Sequence, residues 1–259
     1  MKINNIKIIF MHQIKVNKLR LLFLLPGFMI IILMFILPTI VDYQSIQVNN
    51  YSELLSLYRQ QNPLLDNNNL IIIMLTDIKL LNYLLVMSFI IPMFLTIDFI
   101  VKEKEERTIE NLFSLPITDF EILLGKILVS LITTIIIIWF FYFSTLIVSY
   151  YYNYRFLLSH LFSLKWLFSI FILIPVISYF INIVAITISC LVNKYQTSQF
   201  VATLVLSPFM VFFVLISNGT LIFYNRYLIF LFVFTLITSI VFSKISIKLF
   251  NRERMLVRF

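Results

Sequence analysis

Residues 102–126 read KEKEERTIENLFSLPITDFEILLGK. The stretch holds four bases (Lys102, Lys104, Arg107, Lys126) and six acids (Glu103, Glu105, Glu106, Glu110, Asp119, Glu121), and long uncharged apolar runs flank it on both sides. Charges this dense are too costly to leave in hydrocarbon. The island therefore lies outside the membrane, where a soluble partner can touch it, and the runs beside it are the membrane-crossing parts.

Composition agrees with that division. The 259 residues are 61% hydrophobic and 12% charged, with a mean hydropathy of +1.00. Soluble domains are roughly half apolar and about a quarter charged, so the fold class expected is an all-α integral membrane protein. Three glycines rule against a glycine-rich phosphate loop, and GxxxxGK[ST] is absent. The single Cys190 excludes an intramolecular disulfide and any cysteine-based metal cluster.

Working outward, residues 1–20 are basic, with Ile3, Ile6, Phe10 and Ile14 at helical spacing, and predict an interfacial amphipathic helix. Six spans are expected, at about 21–41, 80–101, 127–149, 166–192, 199–216 and 228–250, in a single transmembrane domain covering 1–259. Residues 42–79 read as an external loop with one short helix near residues 52–60, and Asp77 and Lys79 separate the apolar run 70–76 from the second span. Pro92 within that span requires a neighbour to satisfy the carbonyl it frees. Residues 150–165, rich in Tyr and closing on Trp166, suit an interfacial aromatic belt.

Six spans put both termini and the island on one side, which holds 15 of the 20 Lys and Arg residues and leaves 5 opposite. The positive-inside rule then predicts a multi-pass protein of the cytoplasmic membrane with both termini cytoplasmic. Bases facing anionic lipid explain the net charge of +8 without nucleic acid.

The span cores are read as free of Asp, Glu, Lys, Arg and His, which disfavours an ion-driven carrier. Asn182, Ser178 and Thr133 are the substrate-path candidates, with hydrogen bonding between helices as the alternative role for Asn182. His12 and His160 fall on opposite faces, so no Ser-His-Asp arrangement forms, and no catalytic or metal site is expected. Asn218-Gly219-Thr220 matches a glycosylation acceptor but reads more simply as a polar turn.

Within the island, a helix over residues 102–115 would place Ile109, Leu112 and Phe113 on one apolar patch and pair Glu103 with Arg107. Pro116 would end it, and Thr118 or Asp119 would cap a second helix leading into the third span.

These residues resemble the permease subunits of ABC type-2 exporters. A motif of the form E-x-E-x-G-T-x-E-x-L-x-x-x-P-[VI]-[ST] after the second span is met by Glu103, Glu105, Thr108, Glu110, Leu112, Pro116, Ile117 and Thr118. Gly125-Lys126 and the lead-in LLFLLP at residues 21–26 are similar as well, whereas Arg107 stands where the family often has Gly. The resemblance implies that residues 102–126 form a cytoplasmic coupling helix seated on a separate ABC ATPase subunit. Glu103, Glu105, Arg107, Thr108, Ile109, Glu110, Leu112, Phe113 and Pro116 would be the coupling residues. ATP and Mg would sit on that subunit, with no cofactor in this chain, and the permease would pair with a second copy or a paralogous permease. The cargo expected from a Phe-, Ile- and Leu-rich interior is amphipathic or apolar. A non-transport scaffold or assembly factor recruiting a cytoplasmic partner through residues 102–126 is the competing reading, and a lipid-handling enzyme is a third.

Overall fold

A computed structural model describes residues 52–61, 63, 65–106, 118–217 and 225–249. The expected interfacial helix, the first span, the island centre 107–117 and the acceptor at Asn218 lie outside them. Among the described residues every regular element is helical.

Helix α1 is Ser52–Gln61. After a turn through Pro63, helix α2 runs unbroken over Asn67–Glu105. This corrects the expected loop through residue 79. Asp77 and Lys79 sit in a π-helical turn, Thr76–Leu80, that joins the two α-helical parts of α2, and Asp77 is buried. The physical reason is that Asp77 meets four donors in the fold, so its charge does not need water and the helix need not break.

Thirty-nine residues at 1.5 Å each make α2 about 58 Å long, almost twice the hydrocarbon thickness. The rise from Asp77 to Asp98 is about 32 Å, which matches that thickness, so its charged residues cluster where the helix leaves the apolar layer. Pro92 lacks the N–H that would bond the Ser88 carbonyl, and the Ser178 hydroxyl of a neighbouring helix donates to that carbonyl at 3.4 Å.

The helix expected over residues 102–115 is also corrected at its start. Helix α2 ends at Glu105, and Glu106 (φ −80°, ψ −1°) closes the turn through its N–H to the Lys102 carbonyl.

Helix α3, Asp119–Tyr151, opens with a capping box. The Thr118 hydroxyl accepts from the Glu121 N–H at 3.4 Å, and the Glu121 carboxylate accepts from the Thr118 N–H at 3.0 Å. Ser130, Thr134, Thr145 and Ser149 of α3 face inward while Ile132, Ile136, Phe140, Phe143 and Ile147 form an exposed stripe. Small polar groups inside and large apolar ones outside are the pattern of a helix solvated by lipid.

A turn with Asn153 in the left-handed region (φ 57°) leads to the short helix α4, Arg155–Leu161. Asn accepts this conformation at lower cost than a branched residue would. Helix α5, Leu164–Leu191, contains a second π-helical turn, Ser169–Leu173, just ahead of Pro175. A three-residue connection, 192–194, leads to α6, Tyr195–Ser217. Pro208 inside α6 frees the Leu204 carbonyl, to which the Ser207 hydroxyl donates at 2.8 Å. Helix α7 is Asn225–Leu249.

Helices α2, α3, α5 and α6 are each long and apolar enough to cross a membrane, and α7 contributes a shorter apolar run, Leu228–Lys244. The first expected span, 21–41, belongs to the undescribed residues. Helix α2 is central, packed on α3, α5 and α6, while α7 lies on α5 through pairs such as Phe168–Phe232 and Phe180–Phe242.

Candidate functional site

The last turn of α2 is KEKE, residues 102–105. Successive helical residues point about 100° apart, so four consecutive side chains reach all round the helix, and here each finds a different target. Lys102 pairs with Asp98 one turn back and lies over the Tyr195 ring, 4.8 Å from its centroid. The Glu103 carboxylate meets the Lys126 ammonium of α3 at 2.5 Å. Lys104 donates to the Ser189 carbonyl of α5 at 2.5 Å. The Glu105 carboxylate accepts from the Tyr195 N–H at 2.7 Å.

Two of these contacts complete helix ends. Ser189 lies in the last turn of α5, whose carbonyls have no in-helix donors, and an ammonium there also suits the negative end of the dipole. Tyr195 opens α6, where first-turn N–H groups lack acceptors and a carboxylate is favoured. Lys104 and Glu105 thus grip the backbone on both sides of the 192–194 connection.

Lys126 is fully buried and also donates to the Phe99 carbonyl at 3.0 Å. A buried ammonium is tolerated only with such partners.

A second polar layer lies within the membrane-length part of the bundle. The Asn182 amide oxygen of α5 accepts from Thr96 of α2 at 2.5 Å and from Ser130 of α3 at 2.7 Å. One buried side chain therefore joins three helices. Ser178 serves the Ser88 carbonyl, as described, and Thr133 donates to Val129 of its own helix at 2.7 Å.

The far end of the bundle carries a third cluster, around Asp77. Its carboxylate accepts from Tyr58 of α1 (2.8 Å), Lys165 of α5 (2.7 Å) and the Trp166 indole N–H (2.8 Å), and His160 of α4 lies at 2.9 Å. Burial, and then the Asp77 charge, hold the Tyr58 phenol proton well above its ordinary value.

Residues 17–226 match the family described as ABC-2 family transporter protein. That span takes in most of the chain and all three polar layers. The chain belongs to the ABC-2 transporter family. It is a multi-pass membrane protein of the transport class, and members of the family are the transmembrane components of ABC transporters rather than their catalytic ones. Neither a curated protein nor a solved structure matches it.

For this ABC-2 family member the sequence-predicted residues divide as follows. Glu103 and Glu105 are described, and both point to partners within the chain. Glu103 bridges to Lys126, and its expected partner Arg107 lies outside the described residues. Arg107, Thr108, Ile109, Glu110, Leu112, Phe113 and Pro116 lie outside the described residues.

Sequence reasoning did not single out Lys104, which bonds the end of α5, and it missed the whole Asp77 cluster by placing Asp77, His160 and Lys165 in external connections. Asp77, Lys104 and Lys126 fall outside the expected spans, but they are buried all the same, within the helices that extend those spans. A usable signal existed for Asp77. It is a single acid in a long apolar stretch, on the same expected side as the Lys165-Trp166 pair that opens α5.

Proposed function

We propose that the protein is the permease of an ATP-driven exporter in the cytoplasmic membrane, with both termini and residues 102–126 on the cytoplasmic side. A separate ABC ATPase subunit, carrying ATP and Mg, docks on residues 107–117, and a second permease, identical or paralogous, completes the assembly. Membership of the ABC-2 family carries this reading. The KEKE turn supports it, because the chain just before the docking segment is bonded to three other helices and can pass a displacement on. The cargo is amphipathic or apolar. Of the three substrate-path candidates, Asn182 keeps a donor for cargo, since its buried amide nitrogen has no hydrogen-bond partner among the described residues.

The test is purification from native membranes in mild detergent. An ATPase with a phosphate-binding loop is expected in fixed ratio, and Leu112→Asp with Phe113→Asp should uncouple hydrolysis from transport while the permease still inserts. Recovery of an intact permease assembly without any ATPase would overturn the reading in favour of the scaffold. Unchanged coupling in the double variant would remove the docking role of this segment.

A further inference from the structure

Lys104 and Glu105 each hold a main-chain atom of a neighbouring helix. The Lys104 ammonium bonds the Ser189 carbonyl at the end of α5, and the Glu105 carboxylate bonds the Tyr195 N–H at the start of α6. A grip on backbone moves a helix itself, whereas a grip on a side chain can be absorbed by a rotamer change. Lys104 is also buried, so releasing this carbonyl would cost a buried ammonium one of its hydrogen-bond acceptors. Motion of this turn therefore carries the 192–194 connection with it.

Helix α6 is suited to follow. Phe200, Leu204, Val211, Phe212 and Leu215 on it are exposed, and among the described residues its packing is chiefly on α2. Its other end is tied to α2 as well: the Asn82 amide donates to the Phe213 carbonyl at 2.7 Å, and the Phe89 ring lies 5.3 Å from both Phe209 and Phe213. Both ends of α6 are thus fastened to α2, which runs directly into the island.

We propose that Lys104, together with the Glu105–Tyr195 backbone contact, is a positioning device that makes α6 follow the last turn of α2, so that α6 is the element moved when the island is displaced. This rests on the functional reading above. It deepens that reading by naming the moving helix and the residues through which it is moved.

The experiment uses the permease purified with its ATPase. In a Cys190→Ser background, Ile132→Cys on α3 and Phe200→Cys on α6, both exposed, carry spin labels, and pulsed EPR compares the nucleotide-free state with ATP plus vanadate. With the grip intact, vanadate trapping is expected to shift the α3–α6 distance. Lys104→Met combined with Tyr195→Pro, which deletes the N–H at a helix position that accepts proline, should abolish the shift while the ATPase still co-purifies. Lys104→Arg, which keeps a buried donor, should retain it. A full shift in the double variant overturns the proposal. If that variant fails to assemble, Lys104→Met alone is read by the same criterion. Absence of any ATPase from the unaltered preparation is a separate result, which overturns the functional reading and this proposal with it.

Discussion

Replacing Asp77 by Asn removes one negative charge and keeps nearly the same shape. The carboxylate accepts hydrogen bonds from Tyr58, Lys165 and Trp166 and contacts His160, all within 2.7–2.9 Å. An amide has one acceptor oxygen, so part of this donor set is stranded. The side chain of Lys165, 14% exposed, loses its counter-charge. Removing one member of a buried ion pair costs about 3–5 kcal/mol. Lys165 opens its helix and can reach toward the interface, which argues for the lower figure, about 3 kcal/mol. For a chain of this size that corresponds to a fall of about 6–12 °C in the melting temperature. Trp166, one of only two tryptophans, donates directly to Asp77, so intrinsic fluorescence of the detergent-solubilised protein reports on this site during melting. Asp77→Asn with Lys165→Met removes both charges and should recover most of the loss, because a neutral, filled site carries no stranded charge. The reasoning is refuted if the single variant melts within about 2 °C of the parent, or if the double variant is the worse of the two.

Tyr58 offers a pH test at the same cluster. Its phenol keeps its proton in the fold at pH values where the unfolded side chain, with a pKa of about 10, would release it. Above about pH 10 the folded state therefore binds more protons, and stability should fall as pH rises further. In Tyr58→Phe this alkaline loss should be smaller, and equal slopes of melting temperature against pH in parent and variant would contradict the burial of that hydroxyl. At the island end, a double-mutant cycle on Glu103→Gln and Lys126→Met should give a coupling of about 2 kcal/mol, since the ammonium is fully buried. A coupling below about 0.5 kcal/mol would mean that the two groups do not hold α2 to α3.

Some features were legible locally. The division into apolar runs and a charged island follows from the cost of placing charge in hydrocarbon, which acts on each residue wherever its neighbours are. The cap at Thr118 was readable because its partner, Glu121, is three residues away. Pro92 announced that a carbonyl needed help, though nothing nearby in sequence named Ser178 as the helper. The same apolar uniformity that marked the spans hid their orientation. Lipid and neighbouring helices are both apolar, so the inward and outward faces of α3 differ only by a few hydroxyls.

By itself, then, the sequence determined that the chain crosses a membrane as helices, and which family pattern residues 102–126 carry. Only the tertiary structure decided that α2 runs on through Asp77, because Lys165 and Trp166 lie more than 80 residues away and no local pattern links them. It also supplied the partners of the KEKE turn. Glu103, Lys104 and Glu105 are bonded within the chain, Glu103 to Lys126, and Lys104 and Glu105 where the ends of α5 and α6 offer backbone groups that need a charge. The charges could be counted from the sequence, but their partners exist only once the helices have packed.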